Sequence, residues 1–413
     1  MKEIEENRKK IVFKIPEFPH FSETFLVAQI LTAIKLGYDV RIITRKIITN
    51  NIHLVEDYQL LNKIIIDDYK VPKNKFVRVL KWCLLFVFYL KQFRYIYGYF
   101  KQHEKFSLTW LYQWVFYYQF DEATIFHIQY GTYKYPVDLL KKTGFFKPKV
   151  IVTFHGHDAF FPLYGYIENN GYYDNLFHYA DIVTANTPYL RNQLLRLGCQ
   201  KNKIELVPVG VDTERFFRKN EKYAIGNTLK LITVGRLNIV KGQIYALEVL
   251  KKLIVSGHRV EFKIIGDGPE KGALQNYIDQ NNLSANVKLM GSRTSKEIIT
   301  LLRESHLFLF TSVSKYQGKS TETQGLATLE AMSCGLPVIG FDSGGIKYTF
   351  EDSVSGFLCN EYDVNCVFNK VKYLIENPKI LEKMGVEAIK FVNKNYSQKI
   401  VDEKWKYIYE KAL

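Results

Sequence analysis

The sequence contains few cysteines and no CxxC pair. Only Cys83, Cys199, Cys334, Cys359 and Cys366 occur in 413 residues. An odd number of cysteines without a CxxC pair in a long chain is not typical of a disulfide-stapled domain or of a zinc ribbon. The pattern therefore predicts neither a disulfide framework nor a zinc cluster, and it favours a reducing cytoplasm.

Long apolar runs are also missing. The longest runs from Trp82 to Leu90 and is closed by Lys81 and Lys91, whereas a membrane-spanning helix needs roughly 20 apolar residues. The charged start, MKEIEENRKK, leads directly into IVFKI without the apolar region of a signal peptide. We expect a cytoplasmic protein without a transmembrane helix.

Acidic residues are outnumbered by basic ones. The chain has 57 Lys and Arg against 42 Asp and Glu, a formal charge of +15, which favours a nucleic acid, an anionic membrane or a diphosphate as partner. Basic and aromatic residues are mixed most densely between Phe76 and Phe120. This segment is compatible with peripheral membrane contact, and equally with amphipathic helices that cover a sheet. No nucleic-acid motif accompanies it.

Short β-branched runs alternate with helical patterns along the chain. One series begins at residues 11, 40, 63, 124 and 150, and a second at 204, 229, 260, 287, 306 and 336. Such alternation predicts βαβ units and parallel sheets. A chain of this length fits two domains, and the Pro- and Gly-containing stretch from Pro208 to Arg215 predicts the boundary.

Two cations follow the strand that is predicted to end near residue 234. The stretch VGRLNIVKG places Gly235, Arg236 and Lys241 between this strand and a helix. Ligands of open α/β sheets bind at that edge, and the two side chains suit a diphosphate. The alternative is two solvated surface charges.

A glycine-containing turn follows the next strand. In IIGDGPEKGAL, Gly266 and Gly268 permit a close approach of the backbone to a ligand. The same residues also form a common turn that binds nothing.

A third element begins a helix near Gly325. The unpaired N–H groups of Gly325 and Leu326 suit the distal phosphate of a nucleotide-sugar. Glu322 precedes the helix and Glu330 lies inside it, with seven residues between them. These carboxylates suit sugar and ribose hydroxyls, or they are solvated helix residues.

The three elements together resemble the donor half of glycosyltransferase family 4, retaining enzymes with the GT-B fold of two Rossmann-like domains facing a cleft. The resemblance is close over residues 204 to 360. It implies that Arg236 and Lys241 hold the donor diphosphate, that Glu322 contacts the transferred sugar and that Glu330 binds the ribose. Gln324 and Tyr348 depart from the family pattern.

The N-terminal half resembles the family in two further places. TFHGHDA matches an HG-x-D stretch, which implies that His155 reaches the donor sugar and gives Asp158 a weaker role on the acceptor side. PHFSETF resembles a variant found in exopolysaccharide and lipopolysaccharide enzymes. Its residues Ser22, Glu23 and Thr24 are predicted to open a helix on the acceptor side, or simply to cap that helix.

The last helix resembles the terminal helix of the family, which crosses back to the N-terminal domain. We expect Trp405 and Tyr409 to pack there. The predicted domains are therefore residues 1–210 with 396–413, the acceptor domain, and residues 211–395, the donor domain.

The resemblance implies a cytoplasmic, metal-independent hexosyltransferase of surface polysaccharide biosynthesis without a cofactor. UDP-hexose is the expected donor, and a carbohydrate or lipid-linked oligosaccharide is the expected acceptor. Asp67 and Asp68 are interpreted as solvated loop residues rather than metal ligands. The alternatives are a nucleotide-sugar epimerase and a non-catalytic carbohydrate-binding or scaffold protein.

Overall fold

The computed structural model describes residues 9–20, 24–49, 53–56, 58–160, 171–218, 227–314 and 322–413. The chain forms two compact units. The first comprises residues 1–185, 191–207 and 402–413, and the second comprises residues 186–190 and 208–401. Each unit is built on one parallel sheet.

The sheet of the first unit has seven parallel strands in the order β3-β2-β1-β4-β5-β6-β7. The central strands carry continuous apolar runs because both faces of a doubly wound sheet are covered. The strands are β1 (Lys10–Phe18), β2 (Asp39–Ile47), β3 (Ile64–Ile66), β4 (Ile125–Gln129), β5 (Lys149–Thr153), β6 (Ile182–Ala185) and β7 (Ile204–Leu206).

The sheet of the second unit has six parallel strands in the order β10-β9-β8-β11-β12-β13. In both sheets the order in which the strands are added therefore reverses beside the first strand, as in Rossmann folds. The strands are β8 (Leu229–Val234), β9 (Val260–Ile265), β10 (Val287–Gly291), β11 (Leu307–Phe310), β12 (Val338–Phe341) and β13 (Gly356–Cys359).

Helices connect the strands of each sheet. Among the described residues, no helix has the length and apolar character needed to cross a bilayer. The helices of the first half are α1 (Thr24–Lys35), α2 (His53–Glu56), α3 (Lys75–Phe88), α4 (Phe93–Phe100), α5 (Thr109–Tyr118), α6 (Val137–Lys142), α7 (His157–Phe160), α8 (Asp174–Tyr179) and α9 (Pro188–Arg196). Those that follow are α10 (Gln243–Val255), α11 (Lys271–Gln280), α12 (Ser295–Arg303), α13 (Leu326–Ser333), α14 (Val364–Glu376), α15 (Pro378–Asn395) and α16 (Gln398–Lys411).

Three strands differ from the prediction. The run at residue 204 was assigned to the second series, but β7 pairs with β6 and closes the first sheet. The strands β6 and β13 were not predicted. Each has only four residues and includes a residue type that is depleted in strands, Ala185 in β6 and Gly356 in β13.

The prediction that the cysteines form no disulfide is wrong at one pair. Cys359 ends β13, and Cys366 lies in the first turn of α14, where the two sulfur atoms are bonded. The intervening chain turns back because Asp363 caps α14 and accepts a hydrogen bond of 2.8 Å from the Cys366 N–H. Cys83 is a free, exposed thiol, whereas Cys199 and Cys334 are free and buried.

Asp67 is not the solvated loop residue that was expected. It is partly buried, and its carboxylate accepts hydrogen bonds from the hydroxyls of Tyr133, at 3.0 Å, and Tyr117, at 3.3 Å. It also lies close enough to the buried Lys14 to oppose the desolvation that lowers the pKa of Lys14 to about 7. Asp68 is exposed, as expected.

The terminal helix packs on the first sheet as predicted. Trp405 is 5% exposed and its ring lies 5.3 Å from that of His127 in β4. Tyr409 is fully buried, and the Gln29 side-chain amide of α1 donates to its hydroxyl at 3.4 Å. Two aromatic rings one helical turn apart therefore anchor α16 to the first unit.

Replacing Trp405 with alanine should destabilise the first unit by about 3–5 kcal/mol, because a buried indole is lost and a cavity remains. Urea unfolding followed by circular dichroism measures the change. Tyr407→Ala is the matched control on the same helix, since Tyr407 is 56% exposed. Equal loss of stability in both variants would contradict the assigned anchor.

Candidate active site

The predicted cations of the second unit lie at the point where its strand order reverses. β8 and β11 are neighbours in the sheet although two strands separate them in the chain. The loop after β8 is held to the end of β11, because the Thr311 hydroxyl donates to the Gly242 carbonyl at 2.8 Å. Gly242 has φ +60°, and a Cβ there would lie 2.1 Å from the Thr311 carbonyl oxygen. This topology leaves a crevice at the carboxyl ends of the two strands.

Lys241 and Glu322 form an ion pair at this edge. The lysine ammonium contacts one carboxylate oxygen of Glu322, and the two side chains are 24% and 20% exposed. The other carboxylate oxygen accepts the Gly325 N–H at 3.2 Å. Glu322 thus pairs with the lysine and also accepts the N–H of Gly325, the N-cap residue of the following helix.

Arg236 lies on the same loop as Lys241. Its side chain is exposed, and its carbonyl accepts the Gln243 side-chain amide at 3.1 Å. Gly235 lies against the aliphatic part of Lys241, since a Cβ there would meet the lysine side chain at 3.8 Å. The loop therefore fixes its backbone while the guanidinium is left in solvent, where it is able to meet an anion.

Gly266 and Gly268 pack directly on the Arg236 loop. A Cβ at Gly266, which has φ +139°, would lie 1.9 Å from the Gly235 carbonyl oxygen, and one at Gly268 would lie 2.3 Å from that of Leu237. Glycine is needed at both positions to let two loops touch. A direct contact of these glycines with a ligand stays a prediction.

Helix α13 begins at Leu326 with Gly325 as its N-cap, close to where it was predicted. Gly325 has φ +75°. The Gly345 N–H donates to the Glu322 carbonyl at 2.8 Å, and a Cβ at Gly345 would lie 1.8 Å from the Thr323 carbonyl oxygen. The loop after β12 therefore supports the segment that carries Glu322. The N-terminal N–H groups of an eight-residue helix lie beside this carboxylate.

Glu330 lies on α13 and is only partly exposed. Burial raises the pKa of Glu330 to about 7, although the nearby Arg215 acts in the opposite direction. The carboxyl group is thus poised between its neutral and charged forms near neutral pH.

Gln324, one of the two departures from the family pattern, has a structural partner. Its amide makes two hydrogen bonds of 2.8 Å with the backbone of Val209, one to the N–H and one to the carbonyl. It thereby ties the start of the second unit to the Glu322 segment. The other departure, Tyr348, uses its carbonyl to accept the Tyr396 hydroxyl.

His155 lies in the first unit, after β5. Its Nε2 is 2.9 Å from the Gln129 side-chain oxygen, and the Gln129 amide donates to Gln29 at 3.0 Å. With this orientation of Gln129, the proton of the neutral imidazole is on Nε2. Burial lowers the pKa of His155 to about 3, so the ring is neutral at physiological pH. Gln129 was not predicted, although a glutamine that ends an apolar strand was a visible signal.

Asp158 organises the loop that carries His155. Its carboxylate accepts the N–H groups of Gly131, His155 and Gly156 at 2.8, 3.0 and 2.9 Å. Desolvation raises its pKa to about 6, and these three hydrogen bonds counteract the rise. Asp158 therefore holds the backbone of the loop that carries His155. Its contact with an acceptor stays a prediction.

The predicted SETF site is only partly described. Ser22 and Glu23 lie outside the described residues. Thr24 is exposed and is the first residue of α1, in agreement with a helix start at this position.

Two family models match consecutive parts of the chain. The model described as "Glycosyltransferase Family 4" matches residues 23–215, and the one described as "Glycosyl transferases group 1" matches residues 213–391. Their junction coincides with the region in which the first unit gives way to the second.

Curated relatives agree with this match. An amylovoran biosynthesis glycosyltransferase of Erwinia amylovora is 29% identical over 372 residues, which are 87% of this chain and 88% of the relative. A putative colanic acid biosynthesis glycosyltransferase of Salmonella typhimurium is 29% identical over 247 residues, 59% of this chain and 60% of the relative.

Solved structures agree with the fold. Anabaena HepE, determined in complex with UDP and glucose, superimposes with a TM-score of 0.71 at 14% identity, over 98% of this chain and all of that one. A glycosyltransferase from Rickettsia africae gives 0.70 at 18% identity, over 98% and 99% of the two chains. The predicted fold class, α/β with two Rossmann-like sheets, is therefore confirmed.

Replacing Glu330 with glutamine should stabilise the ligand-free protein at pH 8. Its pKa of about 7 in the folded protein lies above the ordinary glutamate value of 4.5, so the folded state holds the proton more tightly and Glu330 lowers stability progressively as the pH rises from about 4.5 to 7. The gain at pH 8 should be on the order of 3 kcal/mol. It should vanish below pH 4.5.

Thermal unfolding between pH 4 and 8 measures this difference. Glu382→Gln, at an exposed position of α15, is the control. A Glu330→Gln variant whose stability relative to wild type is independent of pH would contradict the assigned burial.

Proposed function

We propose a specific donor and reaction for this chain, which belongs to the family 4 glycosyltransferases: it transfers a hexose from UDP-hexose to a carbohydrate or lipid-linked oligosaccharide acceptor, with retention of configuration. The Lys241–Glu322 ion pair beside the start of α13 carries the proposal. The pair lies at the carboxyl edge of one sheet, where the cation would bind the diphosphate and the carboxylate would bind the sugar hydroxyls.

Donor binding would rearrange this pair. A diphosphate offers Lys241 a more concentrated negative charge than one carboxylate does, and it also attracts the exposed Arg236 and the N–H groups at Gly325 and Leu326. Glu322 is then released to accept hydrogen bonds from the sugar. Glu330, in its charged form, accepts the ribose hydroxyls.

The chemistry places growing negative charge on the leaving diphosphate. Arg236, Lys241 and the start of α13 would stabilise that charge without a metal ion. We prefer a front-face displacement, in which a leaving phosphate oxygen takes the acceptor hydroxyl proton while the new glycosidic bond forms on the same face. The neutral His155 would contribute one hydrogen bond to the donor sugar.

The relatives support the biological setting. Two of them are named for the biosynthesis of amylovoran and colanic acid, and HepE was determined with UDP and glucose. We therefore propose exopolysaccharide assembly as the process, UDP as the nucleotide and the cytoplasm as the compartment. Because Cys359 and Cys366 form a disulfide, the cysteine pattern does not support the proposed cytoplasmic location. That location is proposed because the expected donor is a nucleotide-sugar.

Titration calorimetry with UDP and GDP in the presence of EDTA tests the donor site. Lys241→Ala should weaken UDP binding by about 10- to 100-fold, because one charge-assisted contact is lost. Glu322→Gln should bind UDP at least as tightly as wild type, because Lys241 is freed, yet its hexose transfer should fall by about 100-fold. Lys390→Ala, from the exposed Lys390–Glu387 pair, is the matched control.

Each alternative gives a different result. Unchanged UDP binding and transfer by Lys241→Ala would overturn the assigned site. UDP binding without transfer or hydrolysis of any UDP-hexose would indicate a scaffold, and inversion of the sugar of free UDP-hexose would indicate an epimerase. Loss of UDP binding on addition of EDTA would refute metal independence.

A further inference from the structure

The basic, aromatic segment after β3 forms two layers. Helix α5 is buried over most of its length, with Leu111, Trp114 and Tyr117 inaccessible to solvent, and so covers the sheet as an ordinary amphipathic helix does. Helix α3 packs on its outside: the Tyr112 hydroxyl of α5 donates to the Arg78 carbonyl at 2.5 Å, and Tyr89 stacks edge-on against Trp114 at 5.6 Å.

Helix α3 has no buried residue over its 14 positions. Its inner side contacts aromatic rings from later in the chain, since the ring of Trp82 lies 6.4 Å from that of Phe106 and the ring of Phe86 lies 6.1 Å from that of Phe93. Apolar side chains also cover the opposite side. Residues three to four positions apart share one side of a helix, and we define the outward face of α3 by Phe76, Leu80, Leu84, Val87 and Phe88, which are 78%, 55%, 64%, 68% and 78% exposed.

An exposed apolar face of this kind indicates a binding surface. Soluble proteins rarely leave large contiguous apolar patches in water, and those that do use them for binding. Exposed apolar residues also continue just beyond α3, at Leu90, Phe93 and Phe106.

The charge of the residues around the outward face indicates which kind of partner binds it. Between residues 73 and 106 the only acidic residue is Glu104, whereas the basic residues of this stretch are Lys73, Lys75, Arg78, Lys81, Lys91, Arg94, Lys101 and Lys105. Two copies of such a surface would repel each other. An anionic lipid bilayer instead offers an apolar interior beneath a negatively charged surface.

We propose that α3 docks on an anionic bilayer, with its outward face inserted among the lipid chains and the flanking lysines at the headgroups. This contact goes beyond the proposed function and does not depend on it, because no nucleotide or acceptor takes part. Its benefit would be to hold the enzyme at the surface where a lipid-linked acceptor is found.

Sedimentation of the full chain with vesicles tests the proposal, using phosphatidylcholine alone or mixed with phosphatidylglycerol. Binding should require the anionic lipid and weaken with salt. Lys75→Glu with Lys81→Glu should reduce binding at least tenfold, at roughly fivefold for each lost lysine. Leu84→Ser with Phe88→Ser should reduce it similarly. The controls are Lys379→Glu with Lys383→Glu and, separately, Val255→Ser, all exposed in the second unit.

Cys83 supplies an independent readout. It is exposed on α3, and the other free cysteines of the described residues, Cys199 and Cys334, are buried. An environment-sensitive fluorophore on Cys83 should shift to the blue with anionic vesicles and should not shift with phosphatidylcholine alone. Because every substituted side chain is exposed, the α3 variants should retain wild-type UDP binding, which separates a failure of docking from a failure of the donor site.

Three outcomes would overturn the proposal. The first is an absence of binding to anionic vesicles. The second is equal binding by the wild type and both α3 variants. The third is a dimer in solution that dissociates in the Leu84→Ser, Phe88→Ser variant, which would assign the outward face to a second copy of the chain.

Discussion

The ion pair between Lys241 and Glu322 is the interaction around which the second unit is arranged. The lysine comes from the loop after β8, and the glutamate comes from the segment that opens α13. Bringing them together requires a close approach of neighbouring loops, at Gly242 on Thr311 and at Gly345 on Thr323. Each glycine stands where a Cβ would collide with a backbone oxygen. The pair thus depends on backbone packing that only glycine permits.

A pair of this kind is suited to exchange. Both side chains are partly exposed. Breaking this pair therefore does not leave a fully buried, unpaired charge, which is what makes a buried ion pair costly to break. In the proposed reaction, the diphosphate competes for the lysine and the sugar competes for the carboxylate. The two residues would then divide the donor between them, with Lys241 at the diphosphate and Glu322 at the sugar. Glu330, poised near neutrality by burial, adds a third group whose charge responds to its surroundings.

Much of this architecture was predictable from the sequence. Apolar runs with helical patterns between them predicted two doubly wound sheets. The position of Arg236 and Lys241 after a predicted strand indicated the sheet edge at which Lys241 and Glu322 are paired. The short strands β6 and β13 were missed because each includes a residue type that is depleted in strands, Ala185 and Gly356. The Cys359–Cys366 bond escaped because it depends on how α14 folds back after β13. Gln129, which holds His155, and Tyr133, which binds Asp67, act through contacts distant in sequence that no local pattern contains.

A crystal structure of the protein with UDP would show whether Lys241 and Glu322 separate when the donor nucleotide binds. We expect the Lys241 ammonium to leave Glu322 and to lie about 2.8 Å from a diphosphate oxygen, with the second phosphate near the N–H groups of Gly325 and Leu326. We also expect the ribose hydroxyls to donate hydrogen bonds to Glu330. A complex in which Lys241 stays paired with Glu322, and UDP binds away from the carboxyl ends of β8 and β11, would contradict the proposed donor site.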